Sequence, residues 1–150
     1  MASLTPDLAA TLAMIATAMR DARDDWWIIG SAAVALHGCR TSVADVDVLT
    51  SEPDARRIAA TLSLPSPPGT PSDRFRSRVF ATWTAPPLTV EFMGGLALHD
   101  GQGWIDVDLS TRMAMMIGEK TIYLPDRPDL KALLRRFGRP KDLARVALLI

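Results

Sequence analysis

The chain has 150 residues, 48% of them hydrophobic, which suits a single core and one domain spanning residues 1–150. Its 17 basic side chains balance 17 acidic ones, so no large excess positive field exists to draw in a long polyanion such as duplex DNA, and only a local basic patch remains open. The single Cys39 excludes an internal disulfide framework, and no apolar stretch approaches the roughly 20 residues of a membrane span.

The first residues are apolar, but Asp7 interrupts them and no basic segment precedes them, so the expectation is a soluble cytoplasmic protein that meets no membrane. Thr5, Pro6 and Asp7 predict a helix start, with a capping hydroxyl, a proline in the first turn and an acid near the positive end of the dipole. Leu8, Leu12, Ile15 and Met19 then recur at helical spacing, and the helix is expected to end near Arg20. Residues 26–29 are a short apolar run closed by Gly30, as in a buried strand. Residues 31–37 read as a two-turn helix stopped by Gly38, and residues 43–49 alternate apolar and acidic side chains with strand periodicity. Ser51 and Pro53 start a further helix that turns Ala55, Ile58, Ala59 and Leu62 inward.

Residues 64–72, rich in proline and serine, are expected to be loop. Residues 75–83 and 88–93 are predicted as two strands joined through Pro86-Pro87 into an antiparallel pair. A second loop is expected over residues 94–103, followed by weaker strand signals at 104–109, 113–117 and 121–124. From Pro128 the pattern is helical, with Gly138 ending one helix and Pro140 starting another. The leucine- and alanine-rich helical ends fit either a cover for the core or contact with a twin subunit.

Two features carry chemistry. On a strand, residues two apart share a face, so Asp45 and Asp47 present two carboxylates side by side while Val46 and Val48 face the core. Adjacent carboxylates repel unless a cation lies between them, and magnesium favours hard oxygen ligands with substrate phosphates completing its shell. An isolated Asp-x-Asp is most often a pair of solvated acids. Gly30-Ser31 changes that context, because it follows a strand and opens a helix, where free backbone N–H groups and the dipole favour an anion. Glycine allows a phosphate close to the backbone, and the serine hydroxyl adds a donor.

The order of strand, Gly30-Ser31, short helix, Gly38 and Asp45-Val46-Asp47 resembles the signature of the DNA polymerase beta-like nucleotidyltransferase superfamily. The likeness is carried by residues 28–38 and 40–48. It is closest to compact bacterial members related to the abortive-infection toxin nucleotidyltransferases, whose late basic and acidic segment is similar to Gly138-Arg139-Pro140-Lys141-Asp142-Leu143-Ala144. The resemblance implies an α/β (α+β) fold, a small mixed sheet flanked by helices. It implies that Asp45 and Asp47 hold two magnesium or manganese ions, that Gly30 and Ser31 grip the outer phosphates, and that a third carboxylate stands on a neighbouring strand. Glu91 is preferred for that place, since a lone acid inside an apolar strand needs a partner when buried. Its rival is Asp106 or Asp108, a second Asp-x-Asp with no glycine-serine helix before it.

The implied reaction transfers a nucleoside monophosphate from a nucleoside triphosphate to a hydroxyl of unknown acceptor: a small molecule, a protein or an RNA end. The family more often has Asp where this chain has Glu91. That departure keeps open a second reading, a module that binds nucleotide or a partner protein without turnover, as in a toxin–antitoxin pair. Lys131, Arg135, Arg136, Arg139 and Lys141 form the local basic cluster, read either as a solvated helical face or as cations for a triphosphate or nucleic-acid acceptor. Lys141, beside Asp142, is its candidate nucleotide-binding residue. His37, His99, Cys39 and the four tryptophans read as structural.

Overall fold

The computed structural model describes residues 4–70 and 72–150, so Pro71 of the expected 64–72 loop lies outside the described residues. Thr5 caps α1 (Pro6–Ala18) by accepting a 3.2 Å hydrogen bond from the Leu8 N–H, and the helix buries Leu8, Leu12 and Ile15. Then follow β1 (Trp27–Ile29), α2 (Gly30–Leu36), β2 (Asp45–Thr50) and α3 (Glu52–Thr61), the last capped by the Ser51 hydroxyl. The next elements are β3 (Phe75–Arg76), β4 (Val79–Trp83), β5 (Thr89–Gly94), β6 (Ala97–His99) and β7 (Trp104–Asp106). The hairpin β8 (Met113–Ile117) and β9 (Lys120–Leu124) leads to α4 (Arg127–Phe137) and α5 (Pro140–Leu148).

The central sheet is mixed, in the order β1-β2-β5-β4. β2 runs parallel to β5, whereas β1 and β4 pair antiparallel with their neighbours. A parallel pair needs a crossover, and α3 supplies part of it, packing against β4 and β5. The period of two then sorts the side chains. Val46 and Val48 of β2, with Val90 and Phe92 of β5, enter the main core beneath α1, α2 and α3. Phe92 is fully buried there, a burial of the size that contributes about 1.5–3 kcal/mol. The alternate positions Asp45, Asp47 and Leu49 and the neighbouring Glu91 and Met93 face the other way. On that side Ile29, Leu49, Leu96, Leu98, Leu133 and Phe137 form a second apolar cluster that α4 covers.

Two expectations change. Residues 94–103 are not all loop, because Ala97–His99 forms β6 between β3 and β7. The glycines that punctuate this segment hide a strand of three residues whose Ala97 and Leu98 are buried. Residues 75–83 are likewise not one strand. The chain breaks at Ser77 and Arg78, so that β3 joins β6 while β4 joins the central sheet. The antiparallel pairing of β4 with β5 is as expected. α4 ends at Gly138, whose φ of 69° places it in the left-handed region that stops a helix cheaply only at glycine.

Candidate active site

The register of the central sheet brings the carboxylates together. Asp47 stands opposite Glu91 across the parallel ladder and opposite Ile29 on the other side, next to Gly30. Asp45 lies two residues before Asp47 on the same face. Gly30 has a φ of 66°, and a Cβ placed there would lie 2.7 Å from Asp47 Oδ2. The backbone at the start of α2 therefore closes directly over the carboxylate, an approach only glycine permits. Ser31, the next residue, is buried and lines the same cleft.

Electrostatically the arrangement is under tension. Asp47 Oδ1 is buried with no hydrogen-bond partner. Burial first, then the charge of Glu91 and a hydrogen bond toward it, and then the charge of Asp45 hold the Asp47 pKa well above the ordinary 3.8; Arg139 pulls the other way. Cations gather on the opposite wall. Gly138 turns the chain so that Arg139 stands at the N-cap of α5, and Asp142 in the first turn accepts from Arg139 Nε at 2.6 Å and Nη2 at 3.1 Å. Arg145 approaches the same carboxylate at 3.8 Å. Lys141 is exposed at the rim and makes no ion pair among the described residues.

Gly30, Ser31, Asp45, Asp47, Glu91 and Lys141 thus line one cleft of about 500 Å³. Its remaining walls include Phe80, Met93 and Phe137 and the residues 67–70 segment. The cleft also contains Arg76 and Arg145, which the sequence did not single out. Arg76 comes from a two-residue strand, and Arg145 is marked only by its position three residues after Asp142. Asp106 and Asp108 are not part of this cleft. Asp106 is exposed on β7, and both line a separate depression with Asp24, Asp25 and Glu52. His37 bonds the Pro125 carbonyl at 2.9 Å, and His99 accepts from Gly101 N–H within its own turn. Trp27 donates to the Thr111 carbonyl at 2.9 Å.

Among the described residues no group of three or more His, Cys, Asp or Glu side chains is arranged to hold a metal ion. Magnesium, however, is commonly bound by one or two carboxylates with phosphate oxygens completing its shell. The orphaned Asp47 oxygen beside Glu91 and Asp45 suits that donor set, because a cation there would satisfy the oxygen and relieve the like charges.

Neither a family model nor a curated protein sequence matches the chain. Its structure is similar to that of a candidate nucleotidyltransferase from Thermotoga maritima, with a TM-score of 0.74 and 22% identity over 97% of this chain and 93% of the other. It is also similar to the lincosamide antibiotic adenylyltransferase LnuA bound to lincomycin (TM-score 0.59, 11% identity, 99% of this chain and 98% of that one). A third similar structure is ANT(2")-Ia in complex with adenylyl-2"-tobramycin (TM-score 0.56, 11% identity, 94% of this chain and 86% of that one). The class defined by these likenesses is structural: the chain has the nucleotidyltransferase fold.

Proposed function

We propose that the protein is a metal-dependent nucleotidyltransferase that moves a nucleoside monophosphate from a nucleoside triphosphate to a hydroxyl acceptor. The observation that carries this reading is the juxtaposition of Gly30, Asp47 and Glu91. A backbone turn suited to phosphate lies against a partly buried carboxylate whose Oδ1 has no hydrogen-bond partner, with a second acid on the next strand. Asp45, Asp47 and Glu91 are the residues that would hold magnesium or manganese. When bound, the cation supplies charge neutralisation between these carboxylates and the phosphate oxygens. Gly30 and Ser31 receive the outer phosphates through backbone N–H groups and the serine hydroxyl, and Lys141 adds charge at the rim.

In the transfer the acceptor oxygen forms a bond to the α-phosphorus while the bond from that phosphorus to the bridging oxygen breaks. Pyrophosphate leaves with the bonding pair. Glu91 orients the acceptor hydroxyl and takes its proton. The neighbours named for lincosamide and tobramycin chemistry make small hydroxylated molecules the first acceptors to try.

A second reading, a module that binds nucleotide or a partner protein without turnover, is favoured by Glu91, which stands where the family that the sequence resembles more often has Asp. Incubation with labelled ATP, CTP, GTP and UTP plus magnesium, across a panel of hydroxylated small molecules, RNA and protein, separates the two. Glu91→Gln is expected to keep most triphosphate binding while transfer falls by roughly 10²-fold or more. Triphosphate binding by the wild type with no transfer to any acceptor would favour the second reading.

A further inference from the structure

We infer that Arg139 is a fixed, pre-aimed ligand for the phosphates of the incoming triphosphate, and that Asp142 is the positioning residue that holds it there. This rests on the nucleotidyltransferase reading and extends it to residues on the far wall of the cleft.

Asp142 is 1% exposed, and its carboxylate is met by two guanidinium groups, those of Arg139 and Arg145. A buried carboxylate that bridges two cations leaves the group with a net positive charge. The Arg139 fork is held by two kinds of contact, to Asp142 and to two aromatic rings, and a backbone bond steadies Asp142 in turn. Nε and Nη2 bond Asp142, the Asp142 side chain also accepts the Arg139 backbone N–H at 3.2 Å, and the guanidinium lies 5.3 and 5.4 Å from the ring centres of Phe75 and Phe137. Those two rings meet edge to face at 5.6 Å, which fixes the surface on which the guanidinium rests.

An arginine carries five N–H donors, and Asp142 uses the Nε and Nη2 edge. The Nη1 donors remain for a second anion in the cleft that Arg139 lines with Asp45, Asp47 and Glu91. Three acids on one wall would repel a triphosphate, and a locked cation opposite them offsets that repulsion without losing side-chain freedom when the ligand arrives. Lys141 lies at the rim as a flexible point charge and cannot supply the same fixed geometry.

Calorimetry with inorganic tripolyphosphate and with each nucleoside triphosphate, in saturating magnesium, tests the assignment. Arg139→Lys keeps the charge but loses the fork, and is expected to weaken binding of both probes by about tenfold or more. Arg139→Ala and Asp142→Asn should each weaken it at least as much. Because Asp142 acts through Arg139, adding Asp142→Asn to Arg139→Ala should cause little further loss of affinity, a coupling that a purely structural role would not produce. Thermal unfolding of each variant accompanies the titrations, and Arg139→Lys decides the question if Asp142→Asn fails to fold. Wild-type binding with Arg139→Lys within twofold overturns this inference and leaves the nucleotidyltransferase reading standing. Full additivity of Asp142→Asn and Arg139→Ala overturns the positioning role. A wild type that binds none of the probes overturns both readings.

Discussion

The chain contains Asp-x-Asp twice, and the two copies have different fates. Asp45 and Asp47 sit on a strand with neighbours on both sides, so Glu91 and the start of α2 crowd around them. Asp106 ends β7, the last strand in the order β3-β6-β7, and Asp108 lies beyond it; both are exposed. The same two letters thus give a strained, partly buried pair in one sheet and a hydrated pair in the other. What separates them is what the fold packs against the strand. Solvation cancels repulsion at the exposed pair, whereas burial preserves it at the other, and preserved repulsion is what a cation can relieve.

The largest contrast is expected from neutralising each pair. Asp45→Asn with Asp47→Asn should abolish magnesium-dependent triphosphate binding and lower any transfer by at least about 10³-fold, while leaving the chelated protein as stable as before or more so. Asp106→Asn with Asp108→Asn should leave binding within about twofold. Isothermal titration with and without chelator, together with thermal melts, measures both. Equal loss of binding from the two double variants would break the comparison, and unfolding of the first would show that its carboxylates hold the structure together.

The first pair was legible because its context is local. A strand run, Gly30-Ser31 and an alternating strand lie within about twenty residues, and helix signals such as Thr5-Pro6 and Gly138 obey the same short-range rules. Glu91 could be read as a lone acid in an apolar strand, but its placement opposite Asp47 depends on a parallel register that no nearby residue specifies. Arg76 and Phe80 reach the cleft from β3 and β4, on either side of a break at Ser77 and Arg78 that the sequence pattern runs through. β6 stayed hidden for a related reason: three residues are too few to show a period, and glycines flank them.

Glycines sharpen the comparison on a smaller scale. Gly30 and Gly101, the latter in the turn between β6 and β7, both have positive φ, at 66° and 96°. Alanine at either position should cost about 1–2 kcal/mol for the backbone conformation alone. Only at Gly30 would the new methyl group strike Asp47; at Gly101 nothing lies within 4 Å. Gly30→Ala should therefore lose stability and triphosphate affinity together, and Gly101→Ala should lose stability only. Melting temperatures and titrations on the two variants check this, and intact binding by Gly30→Ala would show that the carboxylate moves aside without consequence.

The smallest expected effect is in the pH dependence of the chelated protein, where the buried Asp54 and the partly buried Asp47 act in opposite directions. Asp54 is 1% exposed, and although burial acts to raise its pKa, hydrogen bonds from the Asp24 and Arg23 N–H groups and from Arg57 outweigh it and leave it below 3.8. Its contribution to stability is present above the unfolded value and disappears only as the pH falls through the lowered one. Asp47 has the opposite sign. Its raised pKa means that the folded chain keeps a proton which the unfolded chain releases, so its contribution is complete below 3.8 and is lost as the pH rises through the raised value. Between those limits Asp54 is constant and Asp47 alone of the two changes. Moving from about pH 8 to about pH 5 in excess chelator should stabilise the wild type more than Asp47→Asn, by no more than about 1.4 kcal/mol for each unit of pH over which the group titrates. Asp54→Asn should lower the whole profile without altering the difference in slope. Melting curves across that range decide it: parallel profiles for wild type and Asp47→Asn would mean that Asp47 is as well solvated as Asp106, and the contrast between the two pairs would lose its electrostatic basis.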